Sequence, residues 1–166
     1  LMSEACDYDL PFLARHCDVF YIGGTKVGAM FGEAVVFSGM KAPKHFFTNV
    51  KRHGALLAKG RMLGIQFDTL FTDDLYFKVS RHAMTMASGM RDVFSKHGIA
   101  LAYDSPTNQQ FVVLSPALCQ SLSQEVAFEV WERKGENEMV CRFVTSWATK
   151  KEEVEELDRI LQRLVG

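Results

Sequence analysis

Two short apolar runs, Val19 to Ile22 and Ala34 to Phe37, frame a turn rich in glycine. Both read as strands, and strands this apolar are expected to be buried. Between them lie Gly23, Gly24, Gly28 and Gly32 with a single lysine, Lys26. Upstream, Asp9 to Cys17 reads as a short helix, with Asp9 as its cap and Pro11 in its first turn. Downstream, Ser38 to Pro43 is a loop, and Lys44 to about Phe71 carries a broken helical pattern. His53-Gly54 and Lys59-Gly60 interrupt it, and Gly64 lies inside the next piece. Each helical glycine costs about 1 kcal/mol relative to alanine. Several in one stretch suggest close backbone approach to a ligand or to another subunit.

Thr72-Asp73-Asp74 opens the longest predicted helix. Leu75, Val79, Ala83, Met86, Met90 and Val93 form one stripe along it, and Gly98 stops it. The grammar then changes. Ile99–Tyr103 and Gln110–Leu114 read as strands around the turn Asp104 to Asn108. Ser115-Pro116 starts a short helix. Val126–Trp131 and Met139–Thr145 read as a hairpin across the polar Arg133 to Asn137. The last helix begins at Thr149 with Glu152 completing a capping box, and Val154, Leu157, Ile160, Leu161 and Leu164 share one side. The pattern divides the chain at 1–72, 73–97 and 98–166. The fold class is α/β passing into α+β, ending in a small antiparallel sheet with helices on one face.

Composition narrows the function. The 166 residues are 48% hydrophobic, enough for a sizeable core, and 19 basic against 20 acidic residues leave a net charge of −1. No basic block marks a nucleic-acid footprint. No apolar run reaches transmembrane length, and Leu1 to Leu10 lacks the parts of a signal peptide. Cys6, Cys17, Cys119 and Cys141 are scattered, as are the five histidines. They predict reduced thiols in a cytoplasmic protein and no metal site.

Lys26 is the first chemical candidate. A lysine at the edge of a core needs a partner or a task, and burial makes its amine a better nucleophile; the bland alternative is a side chain reaching water from its turn. Arg142 alternates with apolar neighbours on a predicted central strand. A guanidinium there suits a carboxylate or phosphate; an internal salt bridge, or a place on the sheet's open face, is the commoner account of such a residue on pattern alone. Arg61 lies among glycines that can shape an anion pocket, or is a surface charge. His53 and His82 could be acid–base groups, but a lone helix histidine is usually a packed or an exposed one. Ser105 and Ser146 lack the His and Asp of a hydrolase. The turn Gly23-Gly24-Thr25-Lys26 is not a phosphate loop, since its spacing differs and a strand follows.

Five ordered segments together resemble the threonine aldolases, pyridoxal-phosphate enzymes of the aspartate-aminotransferase (type I) fold. They are Asp18 to Gly28, Gly32 to Val36, His53 to Phe67, Asp104 to Phe111 and Arg142 to Thr149. The resemblance implies that residues 1–72 are the end of a large cofactor-binding domain, 73–97 a connecting helix and 98–166 a small C-terminal domain. It implies that Lys26 holds pyridoxal 5'-phosphate as an internal aldimine, that Arg142 grips the substrate α-carboxylate, and that Arg61 helps bind the cofactor phosphate. Thr25 then lies near the cofactor. It further implies a chain about twice as long, with an Asp-Gly-Ala-Arg motif, a ring-stacking histidine and a Gly-Thr pair upstream, and the fragment alone inactive. The abrupt opening Leu1-Met2-Ser3 accords with a longer polypeptide.

The activity implied is retro-aldol cleavage of L-threonine or L-allo-threonine to glycine and acetaldehyde. The partners implied are a β-hydroxy amino acid and further copies of the chain, as a dimer or tetramer, with neither nucleic acid nor membrane. Another type I lyase of the β-eliminating kind, or a non-catalytic α+β binding module, are the alternatives.

Overall fold

The computed structural model describes residues 6–39 and 42–166. They form two compact units, residues 6–79 and residues 80–166. The predicted loop over 38–43 includes two residues, 40 and 41, outside the described ones, and the opening at residues 1–5 lies wholly outside them.

In the first unit, helix α1 (Leu10–His16) starts as expected: Asp9 accepts a hydrogen bond from Phe12 N at 2.7 Å, and Pro11 sits in the first turn. Strands β1 (Val19–Gly23) and β2 (Glu33–Phe37) pair antiparallel, from Val19 opposite Phe37 to Gly23 opposite Glu33. Helix α2 (Phe46–Arg52) and helix α3 (Arg61–Phe71) are separate, broken over 53–60 where the glycines predicted an interruption. The expected burial of the strands is corrected. Phe20, Ile22, Ala34 and Val36 are half-buried, but their alternates Val19, Tyr21 and Val35 are exposed, Tyr21 by 69%. A ribbon alternates faces, so an apolar run does not guarantee that both are covered.

Helix α4 (Leu75–Lys96) begins in the first unit and ends in the second. Gly98 follows it at φ +69°, the left-handed stop that the sequence predicted. Strands β3 (Gln109–Leu114), β4 (Glu129–Lys134) and β5 (Glu138–Val144) form an antiparallel sheet in the order β3-β5-β4. Helix α5 (Pro116–Leu122) keeps its predicted cap, with Leu118 N donating to Ser115 Oγ at 3.2 Å. Helix α6 (Lys151–Val165) closes the chain.

The core of the second unit lies on one face of this sheet. Cys141 and Phe143 from β5 and Val112 and Leu114 from β3 meet Phe94 of α4, Leu122 of α5 and Leu161 of α6. Phe94 packs edge-on to Phe143 at 5.0 Å. The Cys119 and Cys141 sulfurs lie 3.8 Å apart inside it as free thiols. Burial, with Cys119 beside it, pushes the Cys141 thiol up to about 12.

Three predicted boundaries move. Ile99–Tyr103 is not a strand; Leu101 makes one isolated bridge to Val112, because the backbone bends from Ala102 onward into the polar turn. The Val126–Trp131 strand shifts to Glu129–Lys134. Val126 and Phe128 leave the sheet to pack on the core, while the edge strand that remains is exposed along its whole length and tolerates Glu132, Arg133 and Lys134. The cap of α6 falls one residue late. Lys150 N donates to Glu153 Oε2 at 2.9 Å, and Thr149 Oγ1 instead accepts from Ser146 N at 2.9 Å.

An ion cluster joins the end of α4 to α6. Lys96 Nζ lies 2.6 Å from Asp158 Oδ2, and His97 Nε2 lies 2.7 Å from Asp158 Oδ1. The Lys96 and His97 contacts hold the Asp158 carboxyl below its usual range. A carboxyl lowered by folding stabilises the fold above its unfolded range, and that contribution is lost as pH falls through the lowered value. Asp158→Asn is therefore expected to melt at a lower temperature than the parent at pH 7. Thermal melts across an acid series are expected to show the two converging as the parent's Asp158 protonates.

Candidate active site

Lys26 sits in the middle of one 3-10 turn, Thr25–Val27, between Gly24 and Gly28. The Gly24 carbonyl gathers two amides, from Val27 at 3.1 Å and from Ala29 at 3.0 Å, and Gly28 turns the chain at φ +102°. Helix α3 grips this turn with Leu63, Gln66 and Phe67, which share one helical face. Gln66 Oε1 accepts from Met30 N at 2.6 Å. A Cβ at Gly24 would stand 2.8 Å from Phe67 Cζ, and one at Gly32, where φ is +93°, would stand 2.2 Å from Leu63 Cδ2. From the first turn of α4, the Tyr76 hydroxyl donates to the Gly23 carbonyl at 3.1 Å. Burial raises the pKa of that phenol.

These contacts hold the turn's backbone, yet the Lys26 side chain is exposed. Of the two sequence alternatives for Lys26, the exposed one is seen: its side chain reaches water from the turn. Neither Lys26 nor Thr25 makes a side-chain hydrogen bond or ion pair to another described residue. Arg61 is the first residue of α3 and is exposed, likewise without such a partner. So α3 joins two of the predicted positions, carrying Arg61 at its start and clasping the Lys26 turn along its length.

Arg142 lies in the second unit, on β5, opposite Phe111 of β3 and Glu129 of β4. Neighbouring Cys141 and Phe143 face the helices, so Arg142 faces the other way, onto the open side of the sheet. There its guanidinium lies 5.0 Å from the centre of the Trp131 ring. Nη1 donates to Gln109 Oε1 at 3.1 Å, Nη2 pairs with Glu129 Oε2, and Nε is enclosed without a partner. Both sequence alternatives for Arg142 are thus present: a salt bridge, and a place on the open face. Phe111 stands edge-on to Trp131 at 5.4 Å and to Tyr103 at 5.5 Å, so aromatic rings floor this surface.

The other candidates serve local structure. His82 Nε2 lies 2.7 Å from the Thr149 carbonyl, and Ser146 Oγ accepts from Ala148 N at 3.2 Å. Ser105 Oγ lies 3.0 Å from Thr107 Oγ1 in the turn before β3. His53 is exposed just beyond α2. Among the described residues no group of His, Cys, Asp and Glu could hold a metal ion, and no helix is long and apolar enough to cross a membrane. An apolar groove of about 470 Å³ between Met90, Phe143, Val154 and Leu157 lies on the helix-covered side and excludes Arg142.

Comparison with known proteins gives this geometry a setting. A solved threonine aldolase from Leishmania major superposes on all of the chain with a TM-score of 0.93 and 36% identity, over 48% of its own length. A low specificity L-threonine aldolase from Pseudomonas aeruginosa is 29% identical over 150 residues, 90% of this chain and 42% of the relative. The chain is similar to the threonine aldolases throughout. It spans about half the length of the relatives it matches. A serine palmitoyltransferase from Sphingomonas wittichii, only 11% identical, shares the fold over 91% of the chain with a TM-score of 0.58. The fold is therefore part of the type I pyridoxal-phosphate transferase fold, as the resemblance implied. No family profile matches the chain.

Sequence reading missed Gln109, Glu129 and Trp131 around Arg142, and Gln66 and Tyr76 around Lys26. A helical-face count from Leu63 would have grouped Gln66 with Phe67. The clasp on the lysine turn predicts that Gly32→Ala costs about 1–3 kcal/mol in chemical denaturation, from backbone strain and the meeting with Leu63. In a Leu63→Ala background the cost is expected to shrink to the strain alone, a non-additivity that a double-mutant cycle reads.

Proposed function

We propose that the protein carrying this chain cleaves L-threonine or L-allo-threonine to glycine and acetaldehyde, using pyridoxal 5'-phosphate. The observation that carries this reading is the whole-chain match to the Leishmania major threonine aldolase, with an exposed lysine on a clamped turn. The donor set fits the cofactor. An aldehyde requires a primary amine free of ion pairs, which describes Lys26, and a phosphate requires an uncommitted cation, which describes Arg61. Thr25 stands next to the attachment point. When bound, the pyridine ring of the cofactor accepts the electron pair released as the Cα–Cβ bond breaks.

The chain's own residues then have separable tasks. Lys26 would hold the cofactor through its amine, the primary amine that this turn presents. The hydrogen bonds from Tyr76 and to Gln66, with the Phe67 contact, fix the backbone from which Lys26 projects. Arg142 binds the α-carboxylate through charge-assisted hydrogen bonds. Anchoring that group limits rotation about Cα and selects the Cα–Cβ bond for cleavage. On this reading residues 1–72 end the cofactor-binding domain, 73–97 connect, and 98–166 form the small domain. Assembly is as a cytoplasmic homodimer or homotetramer, supported by the exposed apolar side chains Phe47, Leu57, Met62 and Ile65 around α2 and α3.

Lys26→Ala is expected to abolish borohydride-dependent attachment of the cofactor to the peptide carrying residue 26 in the whole protein. Cofactor trapped at that peptide in the variant would end the assignment. Arg142→Ala is expected to raise KM for threonine about 10- to 100-fold, the loss of a charge-assisted pair, with cofactor binding retained. Steady-state kinetics with an unchanged KM would remove Arg142 from the site.

A further inference from the structure

The guanidinium of Arg142 is incompletely matched. Glu129 meets it through one oxygen on Nη2, Gln109 takes one hydrogen from Nη1, and Nε stays enclosed and unpaired. A carboxylate in fork geometry would use two nitrogens.

The carboxylate is there because of an irregularity in β4. The hairpin starts in register with Lys134 opposite Glu138, Arg133 opposite Met139 and Glu132 opposite Val140. Continued evenly, that register sets Val130 opposite Arg142, since each pair of numbers sums to 272. A bulge between Val130 and Glu132 shifts it, and Val130 then faces Cys141 while Glu129 faces Arg142. A one-residue slip exchanges the faces of a strand. Without the bulge, Glu129 would point to the opposite side from Arg142.

We propose that Glu129 is a placeholder carboxylate, which neutralises Arg142 until the α-carboxylate of the amino acid displaces it. This rests on the reading of Arg142 as the carboxylate-binding residue. Two carboxylates at one guanidinium leave a net negative site, and like charges at such range oppose one another. Glu129 is the one that can leave, since its side chain is 58% exposed on an edge strand, against 28% for Arg142. Trp131 beneath the guanidinium and Gln109 at Nη1 remain to hold Arg142 when Glu129 turns to solvent. Glu129 is thus a specificity-determining residue: it sets a threshold that a ligand must exceed by offering a carboxylate in fork geometry.

The test is calorimetric titration of the whole protein with glycine and with 2-aminoethanol, which lacks the carboxylate. Glu129→Gln is expected to tighten glycine about fivefold, the worth of one half-exposed ion pair, and to leave 2-aminoethanol unmoved. Glu129→Ala, measured alongside it, is expected to act in the same direction. Arg142→Ala is expected to abolish the gain in either background. Glycine binding unchanged or weakened in both Glu129 variants, with Arg142→Ala still defective, overturns the placeholder and leaves the Arg142 reading intact. Equal tightening of both ligands also overturns it, since the effect would then not concern the carboxylate. Glycine binding indifferent to Arg142→Ala defeats the underlying reading itself.

Discussion

The pleat of β5 is the constraint on which the second unit depends. It is the central strand, paired on both sides, and its side chains alternate without exception from Met139 to Phe143. Met139, Cys141 and Phe143 enter the core, so Arg142 must stand on the other face. The same packing that seats Phe143 against Phe94 therefore aims the guanidinium. Beyond β5 the chain is pinned by polar locks. Thr145 Oγ1 donates to the Ala83 carbonyl at 2.7 Å, and Asn108 Nδ2 donates to the Thr145 carbonyl at 2.6 Å. These buried bonds fix the strand's end and leave little freedom for the register to slide.

The first unit differs, since the Lys26 side chain is exposed while the backbone that carries it is held on several sides. Glycines allow the turn to lie against α3, and side chains of α3 and α4 fasten it by hydrogen bonds at either end. On the proposed reading of Lys26, a covalent site would benefit from this division between a fastened backbone and an exposed amine, because preorganised elements hold geometry better than loops do. Arg61 shares the helix that does the fastening.

Helices were legible where stripe, cap and stop agreed. Asp9, Ser115 and Gly98 each mark their boundary because capping is local chemistry. The bounds of strand β4 were not legible, for its exposed edge carries the charges of Glu132, Arg133 and Lys134, and periodicity reports burial rather than pairing. The exposure of Tyr21 was hidden for a related reason: an apolar residue in a ribbon does not state which face is covered. Lys26 and Arg142 stood out as polar residues in apolar surroundings. Glu129 could not, because the bulge that brings it to Arg142 leaves no local mark in the sequence, and even counting places Val130 there instead.

That bulge has a consequence for solubility. Among the described residues strand β4 ends the sheet, and an edge strand is the kind of template on which chains add to one another and aggregate. The extra residue twists the edge out of regular spacing, and Glu129, Glu132, Arg133 and Lys134 line it with charge of both signs. An incoming strand would have to match an interrupted ladder while desolvating those groups. The irregularity that orients a carboxylate toward Arg142 thereby also guards the sheet's open margin against its own kind.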